Sequence, residues 1–84
     1  MSQAQQTHLN IELSEKLATY IVGNPLVLKK YSGYSYVVFS KQNDQLNSLN
    51  RKLIKELLAE GKKVVTAQET KNTKSPWIFT SIYN

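Results

Sequence analysis

Residues 26–40, LVLKKYSGYSYVVFS, decide how this chain is read. Leu26, Val27 and Leu28 are β-prone and run into two lysines. Tyr31-Ser32-Gly33 is a turn signal, and residues 34–40 are rich in aromatic and β-branched side chains that suit a pleated, half-buried surface. Taken together they read as a β-hairpin, with strands over residues 26–30 and 34–40.

Upstream lies IELSEKLATYIVGNP, residues 11–25. Leu13, Leu17, Tyr20 and Ile21 recur at helical spacing and share one face. Glu12 and Glu15 fall in the first turn, where the helix dipole favours anions. Gly23 can take a left-handed cap position and Pro25 blocks continuation, so a helix is expected over residues 12–22. The first ten residues, MSQAQQTHLN, read as a flexible polar N-terminal tail (1–10), leaving 11–84 as a single domain. They have no basic stretch followed by an apolar block, so no secretory signal is expected.

Downstream, NDQLNSLNRKLIKELLAEG carries Leu46, Leu49, Leu53, Leu57 and Ile54 as a broad apolar stripe. Asn43 or Asp44 can cap the helix start, and Gly61 ends it. Asn47, Arg51, Lys52 and Lys55 fall on the opposite face, expected to lie in solvent. KKVVTAQET reads as a third strand, KNTKSP as a polar loop, and WIFTSIYN as a fourth strand with Pro76 at its start, where a missing N–H does least harm. The expected fold is α+β: a single small domain in the order α-β-β-α-β-β, a four-stranded, mostly antiparallel sheet packed with two helices.

The composition narrows the chemistry. With 84 residues there is room for one domain and a limited core. No cysteine is present, which removes disulfides, thiolate metal sites and cysteine nucleophiles. That fits a reducing compartment, and a cytoplasmic location is expected. No apolar run reaches the roughly 20 residues that span a bilayer, so no membrane partner is expected. The net charge is +5, from 11 Lys and Arg against 6 Asp and Glu, and Arg51 is the only arginine. A basic balance favours polyanions, and lysine suits diffuse phosphate contact better than bidentate base reading.

Within the opening stretch, SGYSYVVF resembles the RNP1 strand of RNA-recognition motifs at Gly33, Tyr34, Ser35, Tyr36, Val37 and Phe39, with Ser32 where that motif has a basic residue. The resemblance implies Tyr34 and Tyr36 as a base-stacking platform and Val37 and Phe39 as core. TYIVGNP resembles the partner strand RNP2 at Tyr20, Gly23 and Asn24, but its periodicity is helical. The segment from Asn24 to Ser32 is also too short to hold the helix and strand that separate the two motifs in that family. The resemblance therefore covers a single strand.

The remaining question concerns faces. Tyr34, Tyr36 and Val38 share one face of their strand, and Trp77, Phe79, Ser81 and Tyr83 one face of the last. If both helices cover the face of Val37, Phe39, Ile78 and Ile82, the aromatic face lies open. If the helices lie on opposite faces, the aromatics are core.

Catalytic signatures are lacking in the sequence. His8 is the sole histidine, with no companion for a metal. The glycines Gly23, Gly33 and Gly61 are each explained by a turn, so no phosphate loop is formed. Neither enzyme activity nor a cofactor nor a metal is expected. The expected function is a small non-catalytic nucleic-acid-binding module using Tyr34, Tyr36, Lys29, Lys30, Lys71 and Lys74. The alternative is a protein–protein interaction module, such as a small adaptor or inhibitor of the phage or mobile-element type, or a homodimer through the sheet.

Overall fold

In the computed structural model, which describes residues 1–82, helices cover both faces of a small sheet. The element order is α1 (Gln3–Val22), α2 (Pro25–Lys30), β1 (Ser35–Phe39), α3 (Asp44–Ala59), β2 (Val64–Glu69) and β3 (Trp77–Ile82). The fold is α+β, but its sheet has three strands in the order β1-β2-β3, with β1 parallel and β2 antiparallel to their respective next neighbours. The expected four strands and the order α-β-β-α-β-β are therefore corrected. The expected strand position Tyr83 lies outside the described residues.

The correction begins at the opening stretch. Leu26–Lys30 is helical, not a strand. Pro25 occupies the first turn of α2 and Lys29 and Lys30 the last. Proline preset at φ near −65° starts a helix as readily as it stops one, and cations complement the carbonyl end. The helix buries none of its residues, so local signals outweigh the β-prone composition of Leu-Val-Leu. Gly23 is right-handed, at φ −82°, and the left-handed positions are Gly33 (φ 81°) and Gly61 (φ 79°).

Helix α1 starts nine residues earlier than its periodicity implies. Ser2 accepts from the Gln5 N–H, while the Gln5 side chain accepts from the Ser2 N–H. This reciprocal pair satisfies two amide groups that a helix start leaves unpaired. The stretch expected as a tail thus supplies the N-cap and the first eight residues of α1. It crosses the sheet: Gln6 and Asn10 reach α3, Leu13 and Leu17 pack on Val38, Ala67 and Trp77, and Tyr20 stacks on Phe79.

Helix α3 is the crossover that a parallel β1–β2 pair requires. Asn43 caps it by accepting from the Leu46 N–H at 2.9 Å. Its inward side is rotated from the leucine stripe. Leu46, Asn47 and Asn50 are buried, whereas Leu49 and Leu57 are half-buried and Leu53 is 37% exposed. Asn47 therefore does not join Arg51, Lys52 and Lys55 on the solvent face.

Two cores result. On the α3 face, Val37, Phe39 and Val64 pack with Ile54, Leu57, Leu58 and Ile82. On the α1 face, Leu13, Leu17, Val38, Leu46, Ala67 and Trp77 pack with Leu9, Tyr20, Ile21, Tyr36 and Phe79. Val64 and Val65 are both 0% exposed although they point to opposite faces. Burying each contributes about 1.5–3 kcal/mol, which is why the central strand tolerates no polar residue there.

Candidate functional site

The aromatic side chains that the sequence offers as a stacking platform lie mostly inside. Tyr31, at the end of α2, is buried and organises them. It meets Tyr34 edge-on at 5.5 Å and Tyr36 edge-on at 6.4 Å, and it stacks on Phe79 at 5.8 Å. Such edge-to-face and offset contacts add to simple burial. Tyr36 also meets Phe79, and its hydroxyl is buried without a hydrogen-bond partner. Burial pushes the Tyr36 phenol above its ordinary pKa, and the neighbouring Tyr31 adds to the shift. Both faces of the sheet carry helices, so Tyr36, Trp77 and Phe79 are packing groups of the α1 face. Tyr34 stands at the rim, half-buried.

Two groups of lysines lie at opposite ends of the sheet. Lys29 and Lys30 precede β1, and Lys62 and Lys63 precede β2. Because these strands are parallel, all four gather at the end where both begin. Lys71 and Lys74 lie in the β2–β3 connection, at the other end. Strands of this length separate the ends by about 20 Å.

At the strand-start end, Lys30 Nζ sits 5.4 Å from the Tyr31 ring centroid and Lys63 Nζ 5.9 Å from that of Tyr34. With the Tyr31–Tyr34 contact this makes a continuous row, Lys30–Tyr31–Tyr34–Lys63. Glu60 pairs with Lys62 at 3.2 Å. Val22, Leu26 and Leu28 are strongly exposed in and just before α2.

The opposite end is electrostatically mixed. An open cleft of about 440 Å³ is bounded by Leu9, Glu12, Lys16, Ser40, Asn43 and Glu69 among others. Here Lys16 pairs with Glu69 at 3.6 Å, and Glu69 also accepts from the Lys41 N–H. His8 contacts Glu12 at 3.0 Å on the exposed side of α1. No group of His, Cys, Asp or Glu among the described residues could hold a metal ion. No helix among them is long and apolar enough to cross a membrane.

No family model, curated protein or solved structure matches this chain.

Sequence reasoning missed the residues that finish the sheet's first edge. The Ser35 N–H donates to Lys63 O, so the alternate residues Tyr36, Val38 and Ser40 turn their backbone groups away from β2. Asn47 answers Ser40 twice, accepting its N–H at 2.7 Å and donating to its carbonyl at 2.9 Å. Asn50 donates to the Val38 carbonyl at 2.9 Å and exchanges hydrogen bonds with Asn10. Beside it a narrow cleft of about 170 Å³ runs between α1 and α3, lined by Asn10, Ser14, Tyr36, Asn50 and Leu53 among others. The available sequence signal was two asparagines three residues apart on the core-proximal side of α3.

Proposed function

We propose that the protein is a non-catalytic module that binds single-stranded nucleic acid at the strand-start end of its sheet. The observation that carries this reading is the row Lys30–Tyr31–Tyr34–Lys63, with Lys29 and Lys62 beside it. Ammonium groups held along a line of rings match a strand of phosphates with bases at its side. In this reading Tyr34 is the stacking group and Lys29, Lys30, Lys62 and Lys63 contact phosphate. Tyr31, packed edge-on against Tyr36, supports Tyr34 from within. Lys71 and Lys74, at the far end, contribute only to the general field.

A salt titration against a single-stranded oligonucleotide tests the reading. Affinity should fall steeply with salt, with a slope of about 0.7 per phosphate neutralised. Replacing Lys30 and Lys63 together by Ala should flatten that slope, while replacing Lys71 and Lys74 should leave it nearly unchanged. Tyr34→Ala should weaken binding by about 1–3 kcal/mol per stacked base without altering the slope. Absence of binding at low salt by the folded protein rejects the reading.

A protein partner is the second reading. It is favoured by Val22 and Leu26, 84% and 80% exposed, beside the same lysines. Binding that resists salt and fails in Leu26→Ser would support it over nucleic acid.

A further inference from the structure

We infer that β3 is a self-pairing edge, through which two copies of this chain join into one continuous antiparallel sheet. The observation is independent of the lysine row. The Thr70 N–H donates to Pro76 O at 2.8 Å, which fixes the alternation along β3. Ile78, Thr80 and Ile82 turn their backbone groups to β2, so Trp77, Phe79 and Ser81 turn theirs outward. A row of free N–H and C=O groups is a template for another strand.

Proteins that keep such an edge single protect it with a lysine, a proline, a bulge or a covering element. β3 reads WIFTSI, with no charge and no proline inside the strand. On the α3 face its side chains are open as well: Ile78 is 55% exposed and Thr80 is exposed.

The occupant follows from the other edge. Asn47 and Asn50 fill the Ser40 groups and the Val38 carbonyl, and α1 and α3 narrow the space beside them. Pairing of β3 with β1 of another copy would be heterologous, and these side chains and helices obstruct it at Val38 and Ser40. Pairing of β3 with β3 is isologous and stops at two subunits. A two-fold axis at Phe79 is the register that uses the whole strand. Phe79 then faces Phe79 of the second copy and Trp77 faces Ser81, each outward N–H meeting an outward carbonyl. Ile78 comes to lie opposite Thr80 of the second copy, in a pair not joined by hydrogen bonds, where Cα atoms are about 4.5 Å apart.

The absence of native cysteine makes that register directly testable. Ile78 and Thr80 are exposed, so Ile78→Cys and Thr80→Cys should both fold, as circular dichroism can verify. Mild oxidation of a mixture of the two variants should give a cross-linked heterodimer, because about 4.5 Å is within disulfide reach. Either variant alone should cross-link poorly, since like positions then lie beyond about 7 Å. In sedimentation the wild-type protein should dimerise, and more strongly at high salt, which screens two subunits each carrying +5. That sign is opposite to the one expected for nucleic-acid binding. Thr80→Lys, an edge charge, should weaken the dimer at least about tenfold. A wild-type monomer at high salt and high concentration overturns the pairing. A dimer whose cross-link is no better in the mixture than in either variant alone overturns the register.

Discussion

The two edges of this sheet are built to opposite ends. At β1, side chains from α3 stand in for a missing strand: Asn47 serves both backbone groups of Ser40 and Asn50 serves the Val38 carbonyl. At β3, the corresponding backbone groups are left unfilled by the neighbouring elements, and the uncovered face shows Ile78 and Thr80. The lesson is that an edge can be closed by a helix only if the helix places both donors and acceptors at strand spacing. An amide side chain does this, because it carries one of each.

The contrast can be broken at its strongest point first. Asn47→Asp puts a carboxylate against the Ser40 carbonyl at a buried position. Denaturant unfolding should show a loss of about 3–5 kcal/mol, the cost of an unpaired buried charge. The loss should shrink in acid, where the protonated carboxyl can again donate. Asn50→Ala comes next, at about 2 kcal/mol, because it strands the Val38 carbonyl while Asn10 can turn to water. It should also open the β1 edge, so light scattering should detect assemblies larger than a dimer. Leu53→Ala and Ile78→Ala compare the two flanks. Leu53, 37% exposed in the cleft beside β1, should cost about 1 kcal/mol, and Ile78 no more than about 0.5 kcal/mol measured under monomeric conditions.

The smallest effect concerns Tyr36, whose buried hydroxyl lacks a partner. Tyr36→Phe should be neutral or slightly stabilising at pH 7, since it removes a polar group that burial leaves unsatisfied. The folded phenol pKa is raised, so the neutral form is the one favoured by folding. Stability from this group is fully present below about pH 10 and lost as pH rises through the folded value. Alkaline unfolding monitored at several pH values should therefore be less steep in Tyr36→Phe than in the wild type. Equal steepness in both would show that Tyr36 is solvated.

Much of the architecture is legible in the sequence, for reasons that differ by element. The three strands at Ser35–Phe39, Val64–Glu69 and Trp77–Ile82 announce themselves by composition. The β-α-β order around α3 already implies a parallel pair, and the runs Val37-Val38 and Val64-Val65 fit strands covered on both faces. That signal competes with the β-prone run of residues 26–30, which as a strand demands a hairpin. The decisive cue, Asn24-Pro25, serves both as the stop of α1 and the start of α2, and sequence alone assigns it to the first. The Ser2–Gln5 capping box was readable too, but polar residues around it hid a helix whose inward contacts, Gln6 and Asn10 to Asn50, are themselves polar. The lysine row was partly legible. Lys29 and Lys30 are neighbours in the sequence, whereas Lys62 and Lys63 join them only because β1 and β2 run the same way.

The Asn47 clamp also sets a clock. An amide proton at a sheet edge ordinarily trades with deuterium as soon as water reaches it. The Ser40 N–H donates to Asn47 Oδ1 with an N···O distance of 2.7 Å, on a residue that is itself buried, so release of its proton waits on α3 leaving the sheet. Its exchange rate thus reports a cooperative opening of the crossover helix, not the local breathing of a strand end. One amide at the margin of the fold becomes a gauge of its interior.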